Sequence, residues 1–285
     1  MRRLRTVVAT EILLVLGLVG FVGIAHLVER VYKLDYAVRL SPAAAVVFAA
    51  APALIWLAVF HLQDRRDDHP KLHMLGMYLL GAFVAGPLAD FAVSQAIAQP
   101  VVPTPQLGIL STEGVLRAVL VVGLAQELCK YVVVRYTVYP SPHLDDPIDG
   151  IIYMTAVGLG FATYVNFDQL SRLDNNIYLT VGAGMVISTT LLHVVLAGVV
   201  GYALGKAKFR CVTSNQRSTA LILGLCAAMV LNGQFNLLSR IVTATGSQAT
   251  PWYGVAYAGG FAAAVFLVIS LLMRNQLQEP DDDVD

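Results

Sequence analysis

The sequence predicts an all-α protein, a polytopic integral membrane bundle of about eight transmembrane helices. Three observations predict it. Of 285 residues, 57% are hydrophobic and only 13% are charged, against about 25% charged in an ordinary soluble domain. Mean hydropathy is +0.67. The apolar residues also fall in long runs, and about 20 consecutive apolar residues cross a bilayer. The same figures exclude a disordered chain, which needs low hydrophobicity and high net charge. A formal net charge of zero leaves no basic excess for phosphates, so no nucleic-acid partner is expected.

Eight segments are long enough to span, at roughly 7–28, 42–62, 72–98, 112–137, 150–170, 179–205, 219–240 and 253–273. The first follows Arg2, Arg3 and Arg5 and has the look of a signal peptide. Its apolar stretch exceeds the usual h-region of about 7–15 residues and no A-x-A site follows, so it reads as a retained helix. The third contains Asp90 beside Pro87, where a kink is expected. The fourth carries Arg117 near its outer end, where the side chain can snorkel. The fifth begins at Asp149, a candidate N-cap. The sixth carries His193 in mid-span, and its Gly201-x-x-x-Gly205 predicts close helix packing.

Lys and Arg set the orientation. With the N-terminus in the cytoplasm, twelve basic residues lie inside and five outside, which places both termini inside. Residues 1–278 read as one membrane domain, and 279–285 as an acidic, solvated tail. Cys129, Cys211 and Cys226 show no metal-binding spacing and read as free thiols.

Ionisable residues within spans are costly and therefore mark function. They are Glu11, Asp90, Arg117, Glu127, Lys130 and His193. Gln126, Asn166, Asn232, Gln234 and Asn236 add neutral polarity. Glu11 lies near a span end and reaches headgroups. The run Gln126-Glu127-Leu128-Cys129-Lys130-Tyr131 stands apart, because Glu127, Lys130 and Tyr131 share one helical face. A lone carboxylate in hydrocarbon needs a counter-ion, so Glu127 and Lys130 are expected to form an intramembrane ion pair. Glu127 lies about 22 Å along its helix from residue 112 and His193 about 21 Å from residue 179, at 1.5 Å per residue. Both helices run inward, so the two side chains sit at similar depth. A carboxylate and an imidazole together activate water as acid and base or through a metal.

Asp146-Pro147-Ile148-Asp149-Gly150-Ile151-Ile152-Tyr153, followed by Ala156-Val157-Gly158-Leu159-Gly160-Phe161-Ala162-Thr163, closely resembles the central signature of the PrsW family of intramembrane proteases. Gln126-Glu127-Leu128-Cys129-Lys130 resembles that family's Glu-Glu-x-x-Lys motif at the second Glu and the Lys. His193, followed by Gly201-Tyr202-Ala203-Leu204-Gly205, resembles its later His and Gly-Tyr-x-x-Gly element. The resemblance covers about residues 110–240. Gln126 replaces the first Glu, Val165 precedes Asn166 where the family has Glu-Asn, and Asn232 falls at a later His.

The resemblance implies hydrolysis of a peptide bond of a membrane-anchored protein, in or just above the bilayer of a bacterial inner membrane. Glu127 would be the general base and Lys130 would hold its charge. His193 would bind a divalent metal such as zinc, orient water, or protonate the leaving amine. Two other functions fit the same buried cluster. One is a regulatory or scaffold subunit that keeps the fold and binds a partner subunit; the other is a transporter or channel.

Overall fold

The computed structural model describes residues 2–34, 38–63, 71–97, 116–172, 178–244 and 251–278. The side chain of Glu11, the 99–111 loop and the acidic tail lie outside the described residues. Among those described there is no strand. The helices are α1 Arg2–Val31, α2 Pro42–Gln63, α3 Lys71–Leu80, α4 Gly86–Ile97, α5 Leu124–Tyr136, α6 Pro147–Arg172, α7 Leu179–Phe209, α8 Ser214–Ala244 and α9 Pro251–Gln278. A π-helical turn, Gly81–Ala85, joins α3 to α4, and a second, Arg117–Gly123, leads into α5. Among the described residues the result is eight helical rods, at the eight predicted positions.

Among the described residues, six of the rods are long and apolar enough to cross a membrane: those containing Leu13–Val31, Pro42–Val59, Leu72–Ala96, Pro147–Ser171, Leu179–Phe209 and Ser214–Leu238. α9 contributes a shorter apolar run, Ala256–Ile269. The chain is an integral membrane protein. Large apolar side chains such as Leu16, Val19, Ile24, Phe83 and Phe91 point outward, as they do where the solvent is lipid.

α7 is the central helix, packed against α1, α6, α8 and α9. Within its span 67% of the residues are buried, against 11% in α1, so α1 is peripheral. The α6–α7 seam is made by small residues, because lipid supplies no hydrophobic drive between helices and close packing must do the work. A Cβ on Gly150 would lie 2.5 Å from Gly201 O and 2.9 Å from Gly205 N. The Gly201-x-x-x-Gly205 spacing therefore marks a backbone-to-backbone contact, as predicted. Gly150→Ala is expected to destabilise the bundle by about 1–3 kcal/mol through overpacking. Gly20, with nothing within 4 Å of its Cβ position, is the control. Gly20→Ala is expected to stabilise by about 0.5–1 kcal/mol through helix propensity. Titration into denaturing detergent measures both, and equal effects would exclude the proposed seam.

Local features fix the ends of these helices. Pro87 has no N–H and clashes with the carbonyl four residues back. The π turn immediately before it, in which the Gly86 N–H bonds Gly81 O, takes up the resulting change of register. At the start of α6 the cap is Asp146 rather than Asp149. Asp146 Oδ1 accepts from Ile148 N at 2.8 Å, and Pro147 occupies the first helical position. Asp149 Oδ2 reaches back to accept from Asp146 N at 2.8 Å and Asp145 N at 2.9 Å. The two aspartates thus form a reciprocal capping box. Tyr178, at the cap position of α7, offers no side-chain cap. Glu29 of α1 substitutes for it, accepting from Thr180 N at 3.0 Å and from the Thr180 hydroxyl. A carboxylate at a helix N-terminus is also favoured by the helix dipole.

Candidate functional site

The site lies where α5, α6, α7 and α8 meet inside the bundle. α5 is too polar to face lipid on all sides. Its inner face carries Glu127, Cys129, Lys130, Val133 and Val134, all buried, while Leu124 and Leu128 face outward. The π turn Arg117–Gly123 sets the register in which α5 begins, and it packs against α8 where Gly233 leaves room for Val119.

Glu127, Lys130 and Asn232 are each 0% exposed, and His193 is 2% exposed. Lys130 Nζ donates to Glu127 Oε1 at 2.8 Å and lies 2.8 Å from Oε2. The predicted intramembrane ion pair is formed. The same Nζ is 3.5 Å from His193 Nδ1, so the ammonium stands between carboxylate and imidazole. An ammonium only donates, which makes Nδ1 the acceptor and places the neutral ring's hydrogen on Nε2. Phe161 of α6 closes the cluster from one side. Its ring meets His193 edge-on with centroids 4.8 Å apart, and Lys130 Nζ is 5.2 Å from its centre.

Asn232 closes the cluster from the α8 side. Its Nδ2 donates to Glu127 Oε1 at 2.8 Å and to Gln126 Oε1 at 3.0 Å. Its Oδ1 accepts from Asn236 Nδ2 at 2.6 Å. Glu127 Oε1 is therefore saturated by Lys130 and Asn232. Oε2 differs: it lies 2.8 Å from the same Lys130 ammonium and meets no other donor among the described residues. Oε2 is thus the oxygen of this buried carboxylate with room for one further donor.

The sequence-predicted residues separate clearly. Glu127, Lys130 and His193 come together. Tyr131, expected on the same face, is half-buried against the apolar core. Asp90 lies on α4, 3.4 Å from the Tyr164 hydroxyl, and Arg117 opens the second π turn. Cys129, Cys211 and Cys226 are free thiols. Asp149 belongs to the capping box. Asn232 and Phe161 are contacts that residue type alone did not reveal. Their signals were a mid-span Asn232-x-x-x-Asn236 pair and the aromatic in the Gly160-Phe161 stretch. Val165 packs on the core, while its neighbour Asn166 donates to Val186 O and Thr190 Oγ1, both at 3.3 Å, two turns and one turn before His193 on α7.

A divalent metal does not fit this donor set. Catalytic zinc takes about three protein ligands plus water. Among the described residues no three of His, Cys, Asp and Glu gather around one point. The two that do come near, Glu127 and His193, both face a resident ammonium. Asn232 directs its N–H groups, not a lone pair, at the carboxylate.

Comparison with known proteins places the sequence in a family. A family model described as "PrsW family intramembrane metalloprotease" matches residues 69–273. A protein named Protease PrsW from Geobacillus kaustophilus is 32% identical over 164 residues, 56% of this chain and 64% of that protein. Proteins of the same name from Clostridioides difficile and Bacillus subtilis are 26% and 28% identical, over 68% and 66% of this chain and 79% of each relative. The matched region spans a little under two thirds of the first relative's length. No solved structure matches the chain. With its matched region running from just before α3 through most of α9, and the Glu127–Lys130–His193 cluster inside it, the chain belongs to the PrsW family of intramembrane proteases.

Proposed function

We propose that the chain is an endopeptidase that hydrolyses peptide bonds of membrane-anchored proteins within the bilayer. The observation that carries this reading is the fully buried Glu127 carboxylate, paired with the Lys130 ammonium beside an imidazole, whose Oε2 meets no donor but that ammonium among the described residues. Such an atom is suited to accept a proton from water. The excess of Lys and Arg on one side of the spans supports an orientation with both termini cytoplasmic, and helical spans with bacterial relatives support an inner-membrane location.

The chemistry follows from the residues. Water is held against Glu127 Oε2 and oriented by His193. As its oxygen attacks the scissile carbonyl carbon, Glu127 takes one proton. The carbon–nitrogen bond then breaks and the proton passes from Glu127 to the departing amine. Atoms balance, one water being added across the bond. The Lys130 ammonium stabilises the negative charge that moves from carboxylate to carbonyl oxygen during the attack. Carbonyls of a spanning helix are all bonded within the segment, so the substrate must be unwound at the cleaved bond before attack.

The test is cleavage of single-span membrane reporters by the purified chain in lipid vesicles. His193→Ala is expected to lower the rate by about 10²-fold, the scale for losing the group that orients a reactant. Unaltered processing by this variant would remove His193 from the reaction. No cleavage of any reporter by the parent chain would favour the scaffold reading, which the neutral Gln126, Val165 and Asn232 also favour.

A further inference from the structure

We propose that the working cation of this site is the Lys130 ammonium, and that the site takes no divalent metal. The inference departs from the metal dependence in the family description, and it rests on the preceding reading only in taking this cluster as the active site.

Three features of the donor set carry it. The position between Glu127 and His193 is filled by Nζ, which lies 2.8 Å from both carboxylate oxygens and 3.5 Å from Nδ1. A divalent ion bound to the same two groups would stand against an ammonium in a buried space, where unscreened like charges repel strongly. Second, Glu127 Oε1 already receives two N–H donors, one from Lys130 and one from Asn232. Its other oxygen, Oε2, lies 2.8 Å from the same ammonium, so a metal on either oxygen would have to displace Lys130. Third, the Asn232 amide is locked in the donor orientation. Both of its N–H groups are engaged, by Glu127 and Gln126, and its Oδ1 is turned to Asn236. An imidazole at that position would offer a lone pair; this amide offers hydrogens. Gln126 takes part in the same way, as an acceptor for Asn232 rather than as a second carboxylate. The replacement of charged groups by Gln126 and Asn232 is thus internally consistent. It trades ligands for a hydrogen-bonded frame around one ion pair.

The test uses the full chain, purified in mild detergent without chelators. Elemental analysis for zinc, iron, manganese, cobalt and nickel gives the metal content, and Co²⁺ titration reports ligation through its visible absorption. The expected result is metal far below one equivalent per chain, no ligand-field absorption with Co²⁺, and no rise in Tm on adding Zn²⁺. One equivalent of metal that Glu127→Gln and His193→Ala both lose would overturn the proposal. Metal retained by both variants lies elsewhere and leaves it standing. If neither variant folds, the Co²⁺ spectrum of the parent chain decides alone: an imidazole-carboxylate ligand-field band overturns the proposal, and its absence sustains it. Cleavage is a separate readout. Failure to cleave with no metal bound removes the protease reading only, whereas cleavage that requires an added metal ion removes this one only.

Discussion

Lys130→Met is expected to destabilise the bundle by about 3–5 kcal/mol, the usual cost of removing one partner from a buried ion pair. The size follows from what is left behind. Glu127 and Lys130 are both fully buried, and the only other hydrogen bond the carboxylate receives among the described residues is from Asn232. Methionine replaces the volume of the lysine stem, so the loss measures the charge and not a cavity. Phe161 keeps an apolar neighbour, and His193 loses only its long 3.5 Å contact. The double variant Glu127→Gln/Lys130→Met removes both charges and keeps a hydrogen-bonding group for Asn232. It is expected to recover most of the loss, because a neutral pair of similar volume has no desolvation cost to offset. Unfolding by denaturing detergent measures all three variants, and the coupling comes from the cycle. A Lys130→Met chain as stable as its parent would mean that the pair is not formed in the bilayer.

The rods and the ion pair were legible because both follow from local periodicity. Long apolar runs place the spans, and an i, i+3 spacing puts Glu127 and Lys130 on one face whatever surrounds them. The meeting with His193 was legible from depth alone. Two residues equally far down two parallel helices meet if the helices are neighbours, and here they do so through the Lys130 ammonium. The capping box was only half legible: two aspartates three residues apart flank Pro147, and the one before the proline takes the cap.

What the sequence did not reveal depends on packing across helices. The π turn before α5 is an inserted register shift with no residue signature of its own, yet it sets the register in which Glu127 enters the bundle. Asn232 looked like a position that had lost an imidazole, which says what is missing but not what the amide does. Its role appears only when α8 lies beside α5, with both N–H groups turned to Gln126 and Glu127. The same packing shows why the metal expected from the resemblance is a poor fit: ligand count is a property of four helices together.

Glu127→Gln is expected to lower kcat/KM for a membrane-anchored reporter by about 10²–10⁴-fold, the range for loss of a general base. Glutamine preserves shape, and its carbonyl oxygen still accepts from Lys130 and Asn232, so the frame around the site is kept. What it lacks is a second oxygen able to take a proton, the part assigned to Oε2. The loss should therefore fall on kcat, with KM little changed, because a group that acts only in the transition state contributes little to substrate binding. Glu127→Gln also leaves the Lys130 charge without its counter-ion, so part of any loss comes from unfolded chain. The double variant Glu127→Gln/Lys130→Met separates the two effects. It restores stability without restoring a base, so its cleavage should remain as low as that of Glu127→Gln. If cleavage returned with stability, Glu127 would be a structural residue and the base would lie elsewhere. If it stayed low while the chain was fully folded, the loss would be one of chemistry, shared between the missing base and the missing Lys130 charge.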